Sequence, residues 1–149
     1  MKIGLICSAG GHLSQLLRLR PHWSAHDLFW VTLDKADARE KLASERCYFA
    51  YGPTNRSLSA AARNWRLARR VLTAEAPDVL VSNGAGVAVP FFVEARRLDI
   101  ATVFVEVYDR VETPSLTGAL LSPLATAVVA QWPEQTGAYP DAELLGSIL

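Results

Sequence analysis

Lys2-Ile-Gly-Leu-Ile-Cys-Ser-Ala-Gly-Gly-His12 opens with a continuous apolar run, Ile3–Cys7, and closes on two glycines. An apolar run without alternation suits a strand buried on both faces, as in a parallel sheet covered by helices on each side. The glycines let the backbone turn sharply. A helix follows over Gly11–Arg20, with Leu13, Leu16, Leu17 and Arg20 at helical spacing, and Pro21 is expected to end it. Strand, glycine turn, helix N-terminus is the first unit of the chain.

The same alternation recurs outward from that unit. Leu28–Leu33 reads as a second strand and Asp34–Ala43 as a polar helix with Lys35, Asp37, Arg39, Glu40 and Lys41 in solvent. Cys47–Tyr51 is a third strand, closed by Gly52-Pro53. Ser57–Ala76 is the clearest helix: Ser57 is placed to cap it, and Pro77 stops it. Leu58, Ala61, Trp65, Ala68 and Leu72 recur at three- and four-residue steps and predict its buried face. Trp65 is expected to pack on the sheet, with Arg63, Arg66, Arg69 and Arg70 in solvent. A basic helix carrying an aromatic residue also suits an anionic membrane surface, and the arginines leave that reading open. Val79–Val81, Ala101–Val105 and Ala127–Ala130 supply three more strands. Val87–Leu98 and Ser115–Leu121 supply two more helices, and Leu144-Leu145 a last short strand. The alternation predicts one α/β domain over residues 1–149, a Rossmann-like parallel sheet with helices on both faces.

Composition bounds the function. Fifteen Lys and Arg balance fifteen Asp and Glu, which argues against a dedicated nucleic-acid binder. Cys7 and Cys47 form neither a disulfide framework nor a zinc spacing, so no metal or cofactor is expected. No apolar stretch approaches the roughly 20 residues that span a bilayer, and the N-terminus lacks a signal-peptide pattern. The expected location is the cytoplasm, at most peripheral on the inner face of the plasma membrane.

Ligands of an open parallel sheet bind beyond the carboxyl ends of its strands, near the reversal of strand order. Three strand exits carry unusual residues. In the first, Gly10 and Gly11 allow close approach of a ligand, the helix N-terminus favours an anion, and His12 can serve as general base toward a sugar hydroxyl. An ordinary tight turn is the competing reading. The spacing is not the G-x-G-x-x-G dinucleotide fingerprint, and no acid ends the second strand to grip a ribose. In the second, Ser82-Asn-Gly-Ala-Gly86, the residues Asn83 and Gly84 repeat that logic, again with a plain turn as the alternative. In the third, Glu106-Val-Tyr-Asp-Arg110, the Glu106 carboxyl can bind a sugar hydroxyl, orient His12 or act as base. Arg110 can meet a phosphate, or pair with Glu106 as a structural brace.

These stretches, with Pro114-Ser-Leu-Thr-Gly118 and Val129-Ala-Gln-Trp-Pro133, resemble one family in the same order along nearly the whole chain. It is the accessory, membrane-recruiting subunit of the bipartite UDP-N-acetylglucosamine transferase that extends dolichol-linked N-acetylglucosamine, with bacterial counterparts in capsule and exopolysaccharide assembly. More distantly, the chain is similar to the N-terminal half of the lipid II-forming N-acetylglucosaminyltransferase, a GT-B enzyme. The block from Glu106 to Gly118, followed by Gln131-Trp-Pro133, is more specific than the glycine loops.

The resemblance implies a division of labour. This chain would face a lipid-linked sugar acceptor at a membrane surface, and a separate small subunit would bind the UDP-sugar donor. His12 and Glu106 become candidate bases or acceptor ligands, and Asn83, Gly84, Arg110, Ser115, Thr117 and Gly118 candidate cleft residues. Residues 134–149 are expected to pack against the partner through Leu144, Leu145, Ile148 and Leu149. Two departures stand out: the membrane-spanning helix that begins eukaryotic members is absent, and Ala119 replaces a commonly basic residue. The competing readings are a non-catalytic scaffold that recruits the catalytic subunit, and a stand-alone nucleotide-binding domain, which the missing ribose acid disfavours.

Overall fold

A computed structural model describes residues 1–54 and 57–147. In chain order the elements are β1 (Lys2–Ile6), α1 (Gly11–Arg18), α2 (Arg20–Trp23), β2 (Asp27–Leu33), α3 (Ala36–Lys41), β3 (Cys47–Ala50) and α4 (Leu58–Glu75). They continue with β4 (Val79–Ser82), α5 (Ala88–Arg97), β5 (Ala101–Val105), α6 (Leu116–Leu121), β6 (Ala127–Ala130), a 3-10 turn over Pro133–Gly137 and β7 (Glu143–Leu144). The strands form one wholly parallel sheet in the order β3-β2-β1-β4-β5-β6-β7. This is the Rossmann-like architecture that the alternation predicts. Strand order reverses between β1 and β4, whose register pairs Ile6 with Ser82, so both strands end at the same edge.

Side-chain alternation divides the core into two layers. Ile6, Leu80 and Phe104 face α4 and α5 in a cluster that includes Leu67, Val71, Leu72, Phe91 and Phe92. Leu5, Cys7, Val81 and Val105 face the opposite way, where Leu13 and Leu16 of α1, Ala38 of α3 and Leu42 just after it pack on them. Burial holds the Cys7 thiol up at about 12 and that of Cys47 at about 11. Both cysteines are free, and neither is expected to react with a disulfide reagent at neutral pH until the protein is unfolded. A thiol titration with and without denaturant checks this, and fast native labelling of Cys7 would contradict it.

Two expectations about helices are corrected. Pro21 does not end the first helix: α1 stops at Arg18, and Pro21 sits in the first turn of α2, where its missing N–H costs nothing. Ser57 caps α4 as expected, its hydroxyl accepting from the Ala60 amide at 3.3 Å. The buried face of α4, however, is Ala60, Asn64, Leu67, Ala68, Val71, Leu72 and Glu75; Leu58, Ala61 and Trp65 are exposed. Trp65 therefore does not pack on the sheet. Two polar residues turn the helix. Asn64 pairs with both backbone groups of Tyr51, at 2.8 and 2.9 Å. Glu75 accepts from Tyr48 Oη at 2.5 Å and Lys2 Nζ at 3.2 Å.

Candidate functional site

The first two glycine turns meet at the strand-order reversal. Gly10 and Gly84 adopt φ of +80° and +106°, a region that favours glycine, and the β-carbonless Gly84 leaves room beside His12. A methyl group at Gly84 would lie 3.7 Å from His12 Cε1, Phe104 and Thr117, which locates all three around one point. His12, Asn83, Gly84 and Thr117 thus converge, drawn from the turns after β1 and β4 and from α6.

His12 and Asn83 clasp each other. The His12 ring nitrogen Nδ1 lies 3.1 Å from the Asn83 carbonyl, and Asn83 Nδ2 donates to the His12 carbonyl at 2.8 Å. A carbonyl only accepts, so Nδ1 must carry the proton in the neutral ring, leaving Nε2 as a bare lone pair. The second bond fixes the Asn83 amide as well. Its Oδ1 is then buried with no hydrogen-bond partner among the described residues. A buried acceptor without a donor costs about 1–3 kcal/mol, which a ligand hydroxyl would offset. The pair therefore holds one base nitrogen and one buried acceptor oxygen.

The anion expected at the first turn is the protein's own. The Gly10 amide donates to Asp37 Oδ2 at 2.8 Å, so that N–H is already satisfied by α3. Gly11 is exposed at the rim, with nothing within 4 Å of its Cβ position.

Glu106 leaves β5 at the same edge but does not open to the cleft. It is fully buried, and both carboxyl oxygens are engaged. Oε1 accepts from the Val107 amide at 2.9 Å; Oε2 accepts from the Ser115 amide at 3.0 Å, Ser115 Oγ at 3.3 Å and Tyr139 Oη at 2.5 Å. Burial, then this hydrogen bond, then the neighbouring charge hold the Tyr139 phenol well above its ordinary value. Glu106 is thus placed as a brace for the start of α6, where Ser115 Oγ also accepts from the Gly118 amide at 2.9 Å. Gly118 has no alternative: a β-carbon there would overlap Tyr139 Oη and Ser115 Oγ and lie 2.5 Å from Glu106 Oε2. The expected Glu106–Arg110 pair does not form, because the oxygens are taken; the Arg110 side chain is exposed.

The loop after Glu106 is held from the far end of the chain. Gln131 Nε2 donates to the Glu106 carbonyl at 2.7 Å, and Trp132 Nε1 to the Tyr108 carbonyl at 2.6 Å. Gln135 Nε2 reaches the carbonyls of Val107 and Arg110 at 3.1 and 2.8 Å. Gln135 and Tyr139 carry no motif in the sequence. No group of three or more metal-ligating side chains gathers among the described residues.

The family model described as "Oligosaccharide biosynthesis protein Alg14 like" matches residues 53–148 of the chain. The UDP-N-acetylglucosamine transferase subunit ALG14 of Homo sapiens is 26% identical over 183 residues, covering all of this chain and 83% of its own length. That of Eremothecium gossypii is 28% identical, covering 97% of this chain and 79% of its own. Among solved structures, Acinetobacter baumannii MurG superposes with a TM-score of 0.71 at 21% identity, over 90% of this chain. Staphylococcus aureus MnaA bound to UDP superposes at 0.78 and 12% identity, over 99%. The chain spans 43% of the former and 45% of the latter, and at these identities the likeness is one of fold.

Proposed function

The chain belongs to the family of Alg14-like oligosaccharide biosynthesis proteins, and from that premise we propose that it is the acceptor-side subunit of a two-component glycosyltransferase. The reaction is transfer of a sugar from a UDP-sugar to a lipid-linked sugar acceptor at the cytoplasmic membrane face, in polysaccharide assembly. The observation that carries this reading is the His12–Asn83 clasp. Its geometry leaves Nε2 to take the proton of an acceptor hydroxyl as that oxygen attacks the anomeric carbon. The bond from that carbon to the UDP oxygen breaks, and UDP leaves with the electron pair. Asn83 Oδ1 accepts a hydrogen bond from a second group on the acceptor. Glu106 has no part in proton transfer; it holds the α6 end of the cleft.

The donor belongs to a partner. One glycine-turn amide that would meet a phosphate is occupied by Asp37, which disfavours nucleotide binding by this chain. A surface for the partner lies on the side of the sheet opposite α4 and α5. There Val81, Val103, Val105 and Val129 line a groove of roughly 770 Å³ with Leu19, Trp23 and Leu145. Leu145 lines it and is exposed, as is its neighbour Leu144; Ile148 and Leu149, the other two residues assigned to the partner surface, lie outside the described residues. A stable heterodimer buries on the order of 1,200 Å² or more, so the proposed interface extends beyond this groove.

Calorimetry with UDP-N-acetylglucosamine tests the division of labour. The isolated chain is expected to give no binding, and its complex with a donor-binding glycosyltransferase subunit to give saturable heat. Tight binding by the isolated chain overturns the reading. Leu145→Asp places a charge where the partner would bury it, and is expected to weaken co-purification at least tenfold with the fold intact, or about 1.4 kcal/mol. Undiminished co-purification would move the interface elsewhere.

A further inference from the structure

The proposed reaction gives this chain a base for the attacking hydroxyl and leaves the departing UDP without a counter-charge. As UDP leaves with the electron pair, negative charge grows on its terminal phosphate, and a cation placed there stabilises that transition state. The exits of β1, β4, β5 and β6 are residues 7–12, 83–87, 106–115 and 131–137, and Arg110 is the one Lys or Arg in all of them. It is exposed and forms no salt bridge among the described residues, whereas Arg20, Arg39, Arg46 and Arg97 all do. The exposed acids Asp109 and Glu112 flank it without pairing, and both oxygens of Glu106 are committed to other partners.

The backbone beneath Arg110 is fixed in advance. The carbonyls of Glu106, Val107, Tyr108 and Arg110 all accept from side chains of residues 131–135, at 2.6–3.1 Å. Water can satisfy the carbonyls of an exposed loop, so these ties add order rather than solvation. A group held in place before the substrate arrives needs little reorganisation in the transition state. The edge is also polarised. On the β1 side, Asp37 sits on the Gly10 amide at 2.8 Å, and no salt bridge to a described residue neutralises it. On the β5 side stands Arg110. A diphosphate at this edge is repelled from the first turn and drawn to the loop after β5.

We infer that Arg110 reaches across the cleft to the diphosphate of a UDP-sugar held by the partner subunit, and donates hydrogen bonds to it as the anomeric bond breaks. The inference rests on the acceptor-side role proposed above and adds to it a catalytic residue supplied in trans. The bond from the anomeric carbon to the phosphate oxygen breaks toward that oxygen, the acceptor proton passes to His12 Nε2, and the guanidinium stays protonated throughout. Its planar fork suits two phosphate oxygens at once, which a lysine ammonium does not match. Each subunit then carries an incomplete site: the partner binds the donor, and this chain brings the base and the counter-charge.

Titration of the two-subunit complex tests this. UDP is expected to bind the parent complex roughly tenfold or more tightly than the Arg110→Ala complex. UDP-N-acetylglucosamine should lose less, because the charge on the terminal phosphate is greatest in the product. Transfer should lose kcat by ~10²–10³-fold in Arg110→Ala, with acceptor KM unchanged. Arg110→Lys should restore part of kcat. Added guanidinium should restore part of it to Arg110→Ala, which a loop that had merely lost its shape would not allow. The side chain is exposed and its carbonyl tie to Gln135 is kept, so both variants should hold the parent circular dichroism, melting temperature and co-purification with the partner. Parent-like UDP affinity in Arg110→Ala overturns the inference, and so does parent-like kcat. A rise in acceptor KM at unchanged UDP affinity overturns it too, and places the guanidinium on a phosphate of the acceptor. The UDP titration needs no acceptor. Absent transfer by the parent complex would therefore sink the transferase reading, while that titration still decides whether Arg110 meets the diphosphate.

Discussion

His12→Ala is expected to lower sugar transfer by the assembled two-subunit enzyme by ~10²–10⁴-fold, the usual contribution of a positioned general base. Stability should change little, because the variant loses one half-buried hydrogen bond, worth about 1 kcal/mol. His12→Asn sharpens the test. Its side-chain amide can still donate to the Asn83 carbonyl where Nδ1 does, but it offers no base in place of Nε2. It is therefore expected to keep acceptor KM and lose kcat, whereas Asn83→Ala should mainly raise KM through loss of the Oδ1 acceptor, because the carbonyl that meets the His12 ring belongs to the backbone and is retained. Steady-state kinetics with both substrates separates these effects. Near-wild-type turnover in His12→Ala and His12→Asn would remove proton transfer from this chain and leave it as the scaffold that holds the acceptor and recruits the catalytic subunit.

The sheet and its edge are legible in the sequence because they depend on local patterns. The apolar run Ile3–Cys7, the glycines after β1 and β4, and the Ser57 cap each specify their own neighbourhood, and the alternation of elements specifies the rest. What the sequence hides is set by polar contacts between distant segments. The α4 pattern counts apolar residues, yet its rotation is decided by Asn64 binding Tyr51 and Glu75 binding Tyr48 and Lys2. The Gly10 turn looks open to an anion until Asp37, 27 residues away, fills it. Glu106 reads as a cleft carboxylate because its strand exit is right. Its partner Tyr139 lies 33 residues downstream in a stretch without a motif. Gln131-Trp-Pro133 stands out through family resemblance, and the structure supplies the reason: it ties down the Glu106 loop.

That tie makes Glu106 the residue whose loss should cost the fold most. Glu106→Ala removes the acceptor for two backbone amides, a serine hydroxyl and the Tyr139 phenol at a fully buried point. Each buried donor left unpaired costs about 1–3 kcal/mol, and water entering the cavity recovers part of the sum. A net loss of about 3–5 kcal/mol is expected, a large share of the 5–15 kcal/mol typical of a domain. The melting temperature should fall by roughly 10 °C. Glu106→Gln retains one oxygen and a donor that Tyr139 Oη can accept, so its loss should be nearer 1–2 kcal/mol. The alkaline limb gives an independent reading. The folded Tyr139 phenol loses its proton at higher pH than the unfolded one, so its contribution to stability is complete below about 10 and declines as pH rises beyond. In Glu106→Ala two of the three causes of that shift vanish, and the tyrosinate absorbance of this residue should emerge at lower pH. Because Ser115 and Gly118 lose their anchor together, transfer should fall in step with the ordering of α6, and Glu106→Gln should restore most of both. A Glu106→Ala protein with parent stability and abolished transfer would instead make the carboxyl group a chemical participant, and the brace would be the wrong description of it.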